Sequence, residues 1–143
     1  MQQRVHFTTL ATADLDAARS FYCDGLGWTP LLDVPGEILF FQIGPGAVLG
    51  LYDATPFDGD LGRPPREHDL GSVTLAHNVD DAAAVDAMFA ATLAAGATPI
   101  KTPQRTSFGG YHAHIADPNG VIWEICHNPG WSVYDDDGTV RLS

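Results

Sequence analysis

The sequence predicts an α+β fold made of two βαβββ modules in one chain, because the same order of patterns occurs twice. Two short segments show the repeat most clearly, "GWTPLL" beginning at Gly27 and "GATPIK" beginning at Gly96. Each segment follows a stretch with helical character and precedes runs rich in apolar residues. With 143 residues and 45% hydrophobic residues, the chain is large enough for two half-size modules that share a core.

The first module is predicted over residues 4–53, in the order strand, helix, strand, strand, strand. The β-branched start predicts a strand that ends at Asp14, a suitable N-cap for the next element. A helix is predicted from Leu15 to Cys23, because apolar residues recur there at helical spacing and glycines follow. Three strands complete this module, over the segments "WTPLLDV", "GEILFFQIG" and "GAVLGLYD".

The second module is predicted over residues 71–128, in the same order. "GSVTLAHNVDD" predicts its first strand, and an Ala-rich helix from Ala83 to Ala95 ends where Gly96 is a suitable C-cap. Its last two strands lie on either side of a "DPNG" turn. Residues 54–70, rich in Pro, Gly and charge, are interpreted as a linker, and residues 129–143 as an irregular tail with at most one short strand.

Composition indicates which classes of binding partner and which cellular compartment are expected for this protein. Eighteen acidic residues against seven Lys plus Arg give a net charge of −11, which disfavours nucleic acid and anionic membranes as partners. No apolar run reaches the roughly 20 residues of a membrane span, and the N-terminus lacks the apolar segment of a signal peptide. Cys23 and Cys126 form no metal or redox motif, so two free thiols in a reducing cytoplasm are predicted.

Two motifs carry a family resemblance. "ATADLDAARSFYCDGLGWTPL" and "ADPNGVIWEI", together with the repeat, resemble the vicinal oxygen chelate superfamily, which includes glyoxalase I, extradiol dioxygenases and bleomycin-resistance proteins. The resemblance covers roughly residues 4–128. It implies that the two sheets curl around a shared cavity, which binds a divalent ion in the metal-dependent members. It also implies a homodimer.

Strand parity predicts which side chains face that cavity, since alternate residues of a strand point to opposite faces. A type I turn with a glycine bulge at "DPNG" places His114 opposite Glu124 and His112 opposite Cys126. The opposite face of this hairpin is apolar and is expected to pack on the helices. Two histidines and a carboxylate on one partly buried face therefore predict a ligand pocket.

Parity and the repeat extend the predicted pocket to both modules. The predicted pocket residues are Phe7, Thr9, Gly50, Tyr52, Thr74, Ala76, Asn78, His112, His114 and Glu124. His77 falls on the apolar face instead. Two interpretations of His77 stay open, a core histidine bonded to the backbone and a bulge that turns it towards the pocket.

The family's metal-ligand positions are largely without donors in this sequence. By resemblance they correspond to Phe7, Gly50, Thr74 and Glu124, of which only Glu124 is a competent ligand. A register slip of one residue would place His6 at the first position. The family's spacing to the acid at the helix start selects Phe7 instead. No metal is therefore predicted at the family site, and no cofactor elsewhere.

Three functions remain open at this point. The first is a metal-free protein that binds a small organic molecule in the cavity between the modules. The second is an enzyme of the lyase, isomerase or dioxygenase type that uses His112, His114 and Glu124, with a relocated metal or with none. In it His114 and Glu124 act as a catalytic pair, because a nearby carboxylate raises the pKa of a histidine. The third is a structural or regulatory interaction module, which no specific motif supports.

Overall fold

Each half of the chain forms a four-stranded sheet with a helix. The computed structural model describes residues 1–107, 109–133 and 140–142. The first half contains β1 (Phe7–Thr12), α1 (Leu15–Arg19), β2 (Leu32–Val34), β3 (Ile38–Gly44) and β4 (Ala47–Asp53). The second contains β5 (Thr74–Asn78), α3 (Ala82–Ala94), β6 (Thr98–Arg105), β7 (Tyr111–Ala116) and β8 (Ile122–His127). The predicted order of elements is thus confirmed in both modules.

The two sheets have the same topology and remain separate. Their strand orders are β1-β4-β3-β2 and β5-β8-β7-β6, with the first strand of each module parallel to the last and the other pairs antiparallel. The predicted α+β class with two βαβββ modules is therefore confirmed. The sheets do not close into a barrel. As a result, β1 and β5 each form one edge of their own sheet.

The first helix is shorter than predicted and changes character along its length. Asp14 caps it, since its carboxylate accepts a hydrogen bond from the backbone N–H of Ala17 at 2.8 Å. After Arg19 the chain continues as a π-helical turn over Ser20–Gly25, a wider coil than the α-helix. The helix predicted to Cys23 is therefore a five-residue α-helix followed by this turn.

The π-helical turn approaches the end of α3 very closely. A Cβ atom built on Gly25 would lie 2.4 Å from the Cβ of Ala95, closer than side-chain atoms can pack. Gly25 therefore permits a contact between the two modules that a larger residue would prevent. Gly27, by contrast, is required by its backbone, because its φ of 73° lies in the left-handed region.

The segment predicted to be a linker is partly helical. Within residues 54–70, α2 spans Ala54–Asp60. Asp53 is its N-cap, and the Asp53 side chain accepts a hydrogen bond from the backbone N–H of Thr55. Asp58 of α2 is fully buried. The rest of the segment folds back over this carboxylate, so the predicted linker contains a helix with a buried residue.

The contacts of Asp58 explain how this segment is held. Its carboxylate accepts hydrogen bonds from Nε of Arg63 at 2.7 Å and from the backbone N–H of Arg66 at 2.9 Å. Nε2 of His68 lies 3.0 Å from the same carboxylate. Burial raises the pKa of Asp58, but these hydrogen bonds outweigh it and lower the pKa to about 2.

The two modules share one core, and a hydrogen-bonded network links the two family motifs across it. The hydroxyl of Tyr22 donates to Asp117 at 2.8 Å and accepts from the indole N–H of Trp123 at 2.9 Å. The side chain of Asn119 accepts from the backbone N–H of Asp14 and donates to the carbonyl of Asp14, both at 2.8 Å. The "DPNG" turn of the second module therefore binds the N-cap of the first helix.

The C-terminal segment contains more regular structure than predicted. β9 (Trp131–Val133) and β10 (Val140–Leu142) form a two-stranded antiparallel sheet, where at most one short strand was predicted. The remainder of the predicted tail, 134–139 and 143, lies outside the described residues. Among the helices that are described, none is long and apolar enough to cross a membrane.

Candidate functional site

The register of the β7–β8 hairpin is as predicted. His114 pairs with Glu124 and His112 with Cys126. The turn that sets this register closes with a hydrogen bond from the backbone N–H of Asp117 to the carbonyl of Val121 at 2.9 Å. The hairpin therefore presents both imidazoles and the carboxylate on the same face, away from the apolar face that packs on the helices.

Four side chains on this face form a connected polar cluster, Lys101, His112, His114 and Glu124. The Lys101 ammonium lies 2.8 Å from Nε2 of His112, and Nδ1 of His112 lies 2.8 Å from Oε1 of Glu124. Because an ammonium can only donate, Nε2 accepts and Nδ1 carries the proton that it donates to Glu124. Lys101 and Glu124 thereby hold the His112 ring from both sides.

The predicted pair of His114 and Glu124 is present but is the weaker contact. Nε2 of His114 lies 3.7 Å from Oε1 of Glu124, beyond hydrogen-bond distance, whereas the hydrogen bond of Glu124 is to His112. The two imidazole rings are 4.9 Å apart and nearly perpendicular. His114 is therefore the member of the polar cluster whose ring nitrogens remain available to a ligand.

The environment of His114 shifts its titration in the direction opposite to the predicted one. Burial lowers the pKa of His114 from its ordinary value of 6.5. Glu124 raises this pKa, but the positive charge of Lys101 and the neighbouring His112 lower it further. The expectation that the carboxylate would raise the pKa is therefore wrong in its net effect. His114 is neutral at pH 7 and able to accept or donate a hydrogen bond.

Two of the residues that the resemblance places at the family's metal positions, Phe7 and Gly50, lie beside the ring of Phe40. A Cβ atom on Gly50 would lie 2.9 Å from the ring of Phe40, so that ring fills the space that a ligand side chain would need. The ring of Phe7 packs edge-on against Phe40, with centroids 5.5 Å apart. Aromatic carbon therefore occupies this part of the first module.

His112, His114 and Glu124 form the set of side chains that could hold a metal ion among the described residues. One ligand atom from each lies within 4.8 Å of the others. Two histidines and a carboxylate are a recognised donor set for iron(II). A cation would, however, have to displace Lys101 from Nε2 of His112 or bind beside its ammonium, which opposes binding electrostatically.

The two copies of the repeat present faces of opposite chemistry. In the first sheet Leu32 pairs with Phe40, which pairs with Gly50. The equivalent positions of the second sheet are Lys101, His114 and Glu124, paired in the same way. One face is thus aromatic and aliphatic, and the other carries the polar cluster.

Lys101 was not predicted as a site residue, although the repeat contains a signal for it. "GWTPLL" ends in Leu32 where "GATPIK" ends in Lys101, the only lysine in the sequence. The strand β6 has register shifts on both sides of Lys101, so simple alternation could not place its side chain. Comparing the two copies position by position would have identified it.

The ten predicted pocket residues do not gather around one enclosed pocket. Phe7 and the β5 residues Thr74, Ala76 and Asn78 are exposed, and Thr9 lies beside Gly50. Tyr52 is directed towards α2 instead. Its hydroxyl donates to Asp60 at 2.8 Å, and its ring packs against Phe57.

A cavity of about 290 Å³ lies between the modules, on the helix-facing side of the second sheet. The first module contributes Phe21, Gly25, Leu26 and Trp28 to its wall. The second contributes Met88, Ala91 and Thr92 from α3, and His77, Ile115, Trp123 and Ile125 from the sheet. A cavity between the modules was predicted, but none of the ten predicted pocket residues lines this one, because it lies on the helix-facing side of the sheet.

His77 fits neither of the two interpretations left open by the sequence, a core histidine or a residue turned towards the predicted pocket by a bulge. It is exposed and its imidazole makes no hydrogen bond within the described part of the chain, so it is not a core histidine. The register of β5 against β8 is regular, so no bulge turns it towards the opposite face. His77 keeps the parity of its apolar neighbours and reaches the edge of the cavity.

Comparison with known proteins agrees with this architecture. The profile of the Glyoxalase/Bleomycin resistance protein/Dioxygenase superfamily matches residues 4–125. A glyoxalase-related enzyme from Fulvimarina pelagi is similar over 99% of both chains, with 35% identity and a TM-score of 0.89. A glyoxalase/bleomycin resistance protein/dioxygenase from Nocardioides has 25% identity and a TM-score of 0.74, over 89% of this chain and 84% of that one.

A lactoylglutathione lyase from Agrobacterium tumefaciens is also similar, with 26% identity and a TM-score of 0.68 over 89% of this chain and 95% of that one. A comparison with proteins of curated function finds no match. The family profile covers most of the chain, and the structural match to the Fulvimarina protein covers nearly all of it. The chain belongs to the glyoxalase/bleomycin resistance protein/dioxygenase superfamily.

Proposed function

We propose that this chain is a metal-free small-molecule-binding protein of the glyoxalase/bleomycin-resistance type. The observation that carries the proposal is the contact of Lys101 with His112, because it places an ammonium group beside the donor set that a metal ion would use. The aromatic packing of Phe7 against Phe40, which lies beside Gly50, supports it. A small organic ligand would bind the open face of the second sheet at the polar cluster.

The polar cluster offers a ligand several kinds of hydrogen bond. Lys101 is a cationic donor, Glu124 is an anionic acceptor, and neutral His114 can do either. All three sit on paired strands, which hold their positions. Such convergent polar groups orient a ligand whose remaining surface contacts apolar residues.

We also propose a homodimer. Four apolar side chains on or beside the edge strands of the two sheets, Phe7, Leu32, Val73 and Ile100, are between 41% and 54% exposed. Edge strands with exposed apolar residues are prone to pair with another chain. A dimer that covers these edges would also shelter the polar cluster from water. Sedimentation is expected to show a dimer at micromolar concentration, and a monomer alone would reject it.

The remaining assignments rest on composition. The net charge of −11 argues against nucleic acid and anionic membranes as partners. Cys23 and Cys126 are both free, in keeping with the reducing cytoplasm proposed for the protein.

The single lysine allows a direct test of ligand binding. Reductive methylation with ¹³C-formaldehyde labels only the N-terminus and Lys101, since the sequence has no other amine. A ligand found by thermal shift among antibiotics and aromatic metabolites should move the Lys101 signal and leave the N-terminal signal in place. Binding should weaken in Lys101→Met and persist in Arg105→Met. Equal binding to both variants would reject the site.

The second candidate is an enzyme that uses a relocated metal at His112, His114 and Glu124. It is favoured by the distances within 4.8 Å among their ligand atoms. Zn, Ni, Fe and Mn should be measured per chain in protein purified without a histidine tag. Stoichiometric metal that disappears in Glu124→Ala would overturn the metal-free proposal. Turnover that falls sharply in His114→Ala, with the fold intact, would establish catalysis.

A further inference from the structure

We propose that the cavity between the modules is a second ligand site, which binds a neutral, planar aromatic molecule of about two fused rings. It lies on the helix-facing side of the second sheet, whereas the polar cluster lies on the opposite face. The inference is therefore independent of the proposed function. It rests on the size of the cavity, the chemistry of its wall and the position of His77.

The size of the cavity sets the size of its ligand. Its volume is about 290 Å³. A dry apolar cavity of about 150 Å³ suffices for benzene in other proteins. Roughly twice that volume is enough for a bicyclic aromatic molecule.

The wall favours a flat and uncharged ligand. The indole rings of Trp28 and Trp123 are perpendicular, with centroids 5.8 Å apart, and both contribute to the wall. Aromatic walls of this kind favour edge-to-face contact with another ring. Among the described residues, the wall contains no Asp, Glu, Lys or Arg. A charged group would therefore lose its hydration without gaining a partner.

The imidazole of His77 offers a polar group at the edge of the cavity. The hydroxyl of Thr92 already donates to the carbonyl of Phe89 at 2.8 Å. The imidazole of His77, by contrast, makes no hydrogen bond within the described residues and reaches the cavity from the exposed strand β5. A ligand with one N–H or O–H group at its rim would satisfy His77 while its rings stay among apolar side chains.

Both modules contribute to this wall, so an occupant bridges them. The π-helical turn supplies Phe21 and Gly25, and α3 supplies Met88 and Ala91. Such π-helical turns occur frequently at functional sites. A ligand in this position contacts the turn and α3 at once and stabilises their packing.

The test uses indole and the two methionines of the sequence, Met1 and Met88. Met88 lines the cavity, and Met1 is fully exposed. With ¹³C-methyl methionine, indole should shift the Met88 signal saturably and leave the Met1 signal unchanged. Indole-3-carboxylate should bind at least about tenfold more weakly, because the wall offers its charge no partner.

A matched pair of variants controls for surface binding. Ala91 lines the cavity and is exposed at its edge, so Ala91→Phe places a ring there without disturbing the core. Ala90→Phe adds the same ring to an exposed neighbour that does not line the cavity. Indole binding should be lost in Ala91→Phe and retained in Ala90→Phe. The proposal is overturned if Met88 shows no saturable shift, or if both variants bind indole equally.

Discussion

At the scale of single residues, the same side-chain types have very different roles according to their surroundings. Tyr22 and Tyr111 both donate a hydrogen bond to an aspartate, Asp117 and Asp86 respectively. Tyr22 is fully buried, and burial together with the charge of Asp117 raises its pKa far above the ordinary value. The Tyr111 contact lies at the surface. Comparing the two tyrosines therefore measures how much burial adds to the stability that a tyrosine–aspartate hydrogen bond provides.

Replacing Tyr22 with Phe should lower the free energy of unfolding by about 1–3 kcal/mol. The change leaves buried Asp117 and the indole N–H of Trp123 each without one partner. Chemical denaturation measures the effect. Tyr111→Phe is the control and should cost less than about 0.5 kcal/mol. Equal losses in the two variants would contradict a structural role for the buried network.

Removing the charge of Lys101 should raise the pKa of His114. Burial, His112 and Lys101 lower this pKa, and Glu124 raises it, so Lys101→Met deletes one of the lowering influences. A pH titration of the His114 ring proton by NMR measures the shift.

Arg105 provides the control for this titration, because it lies on the same strand but does not influence His114. Arg105→Met should leave the pKa of His114 unchanged. A His114 pKa that falls in Lys101→Met would show that the cluster is arranged differently from the structure described.

At the scale of elements, the prediction from sequence succeeded where hydrogen bonding is local. The turn at "DPNG" fixes the β7–β8 register, so His114 and Glu124 could be paired from the sequence alone. The prediction from sequence failed for α2, because that helix is held by hydrogen bonds from Arg63 and Arg66, later in the chain, to Asp58. A segment rich in Pro and Gly gives no periodic sign of such contacts. Lys101 was missed for a related reason, the irregular register of β6.

The buried carboxylate of Asp58 should make the protein less stable in acid. Its pKa is about 2, below the ordinary value of 3.8. Its contribution to the free energy of unfolding is therefore fully present above pH 3.8. That contribution is lost as the pH falls through 2, because the folded state must then accept a proton that it binds weakly.

Comparing variants isolates this effect from the other carboxylates. Urea denaturation between pH 2 and pH 7 should show a smaller acid-dependent loss in Asp58→Asn than in the unchanged protein. Asp24, an exposed residue, serves as the control, and Asp24→Asn should keep the original pH dependence. Identical profiles for Asp58→Asn and the unchanged protein would contradict the prediction.

At the scale of the whole molecule, the fold was predictable and the arrangement of its cavity was not. The repeat identified two modules, and the family resemblance suggested a hollow bounded by their sheets. The observed cavity depends instead on how the π-helical turn meets α3, which brings Gly25 against Ala95. Such close approaches follow from packing in three dimensions, and periodicity along the chain carries no information about them.

The contact between the modules should be sensitive to a single methyl group. Gly25→Ala is expected to cost about 1–3 kcal/mol of stability, because its Cβ would lie 2.4 Å from that of Ala95. Adding Ala95→Gly should recover part of the loss, as thermal or chemical denaturation would show. Gly59→Ala is the control, since a Cβ there meets nothing within 4 Å. Without recovery in the double variant, steric overlap would not be the cause.

The reciprocal hydrogen bonds between Asp14 and Asn119 mean that neither half of the polypeptide is complete alone. Severed from the second half, the first would lose the partner of its N-cap residue and the acceptor of the Tyr22 hydroxyl. Although the sequence resembles a tandem duplication, the halves have become mutually dependent, and separately expressed fragments should become structured only when mixed.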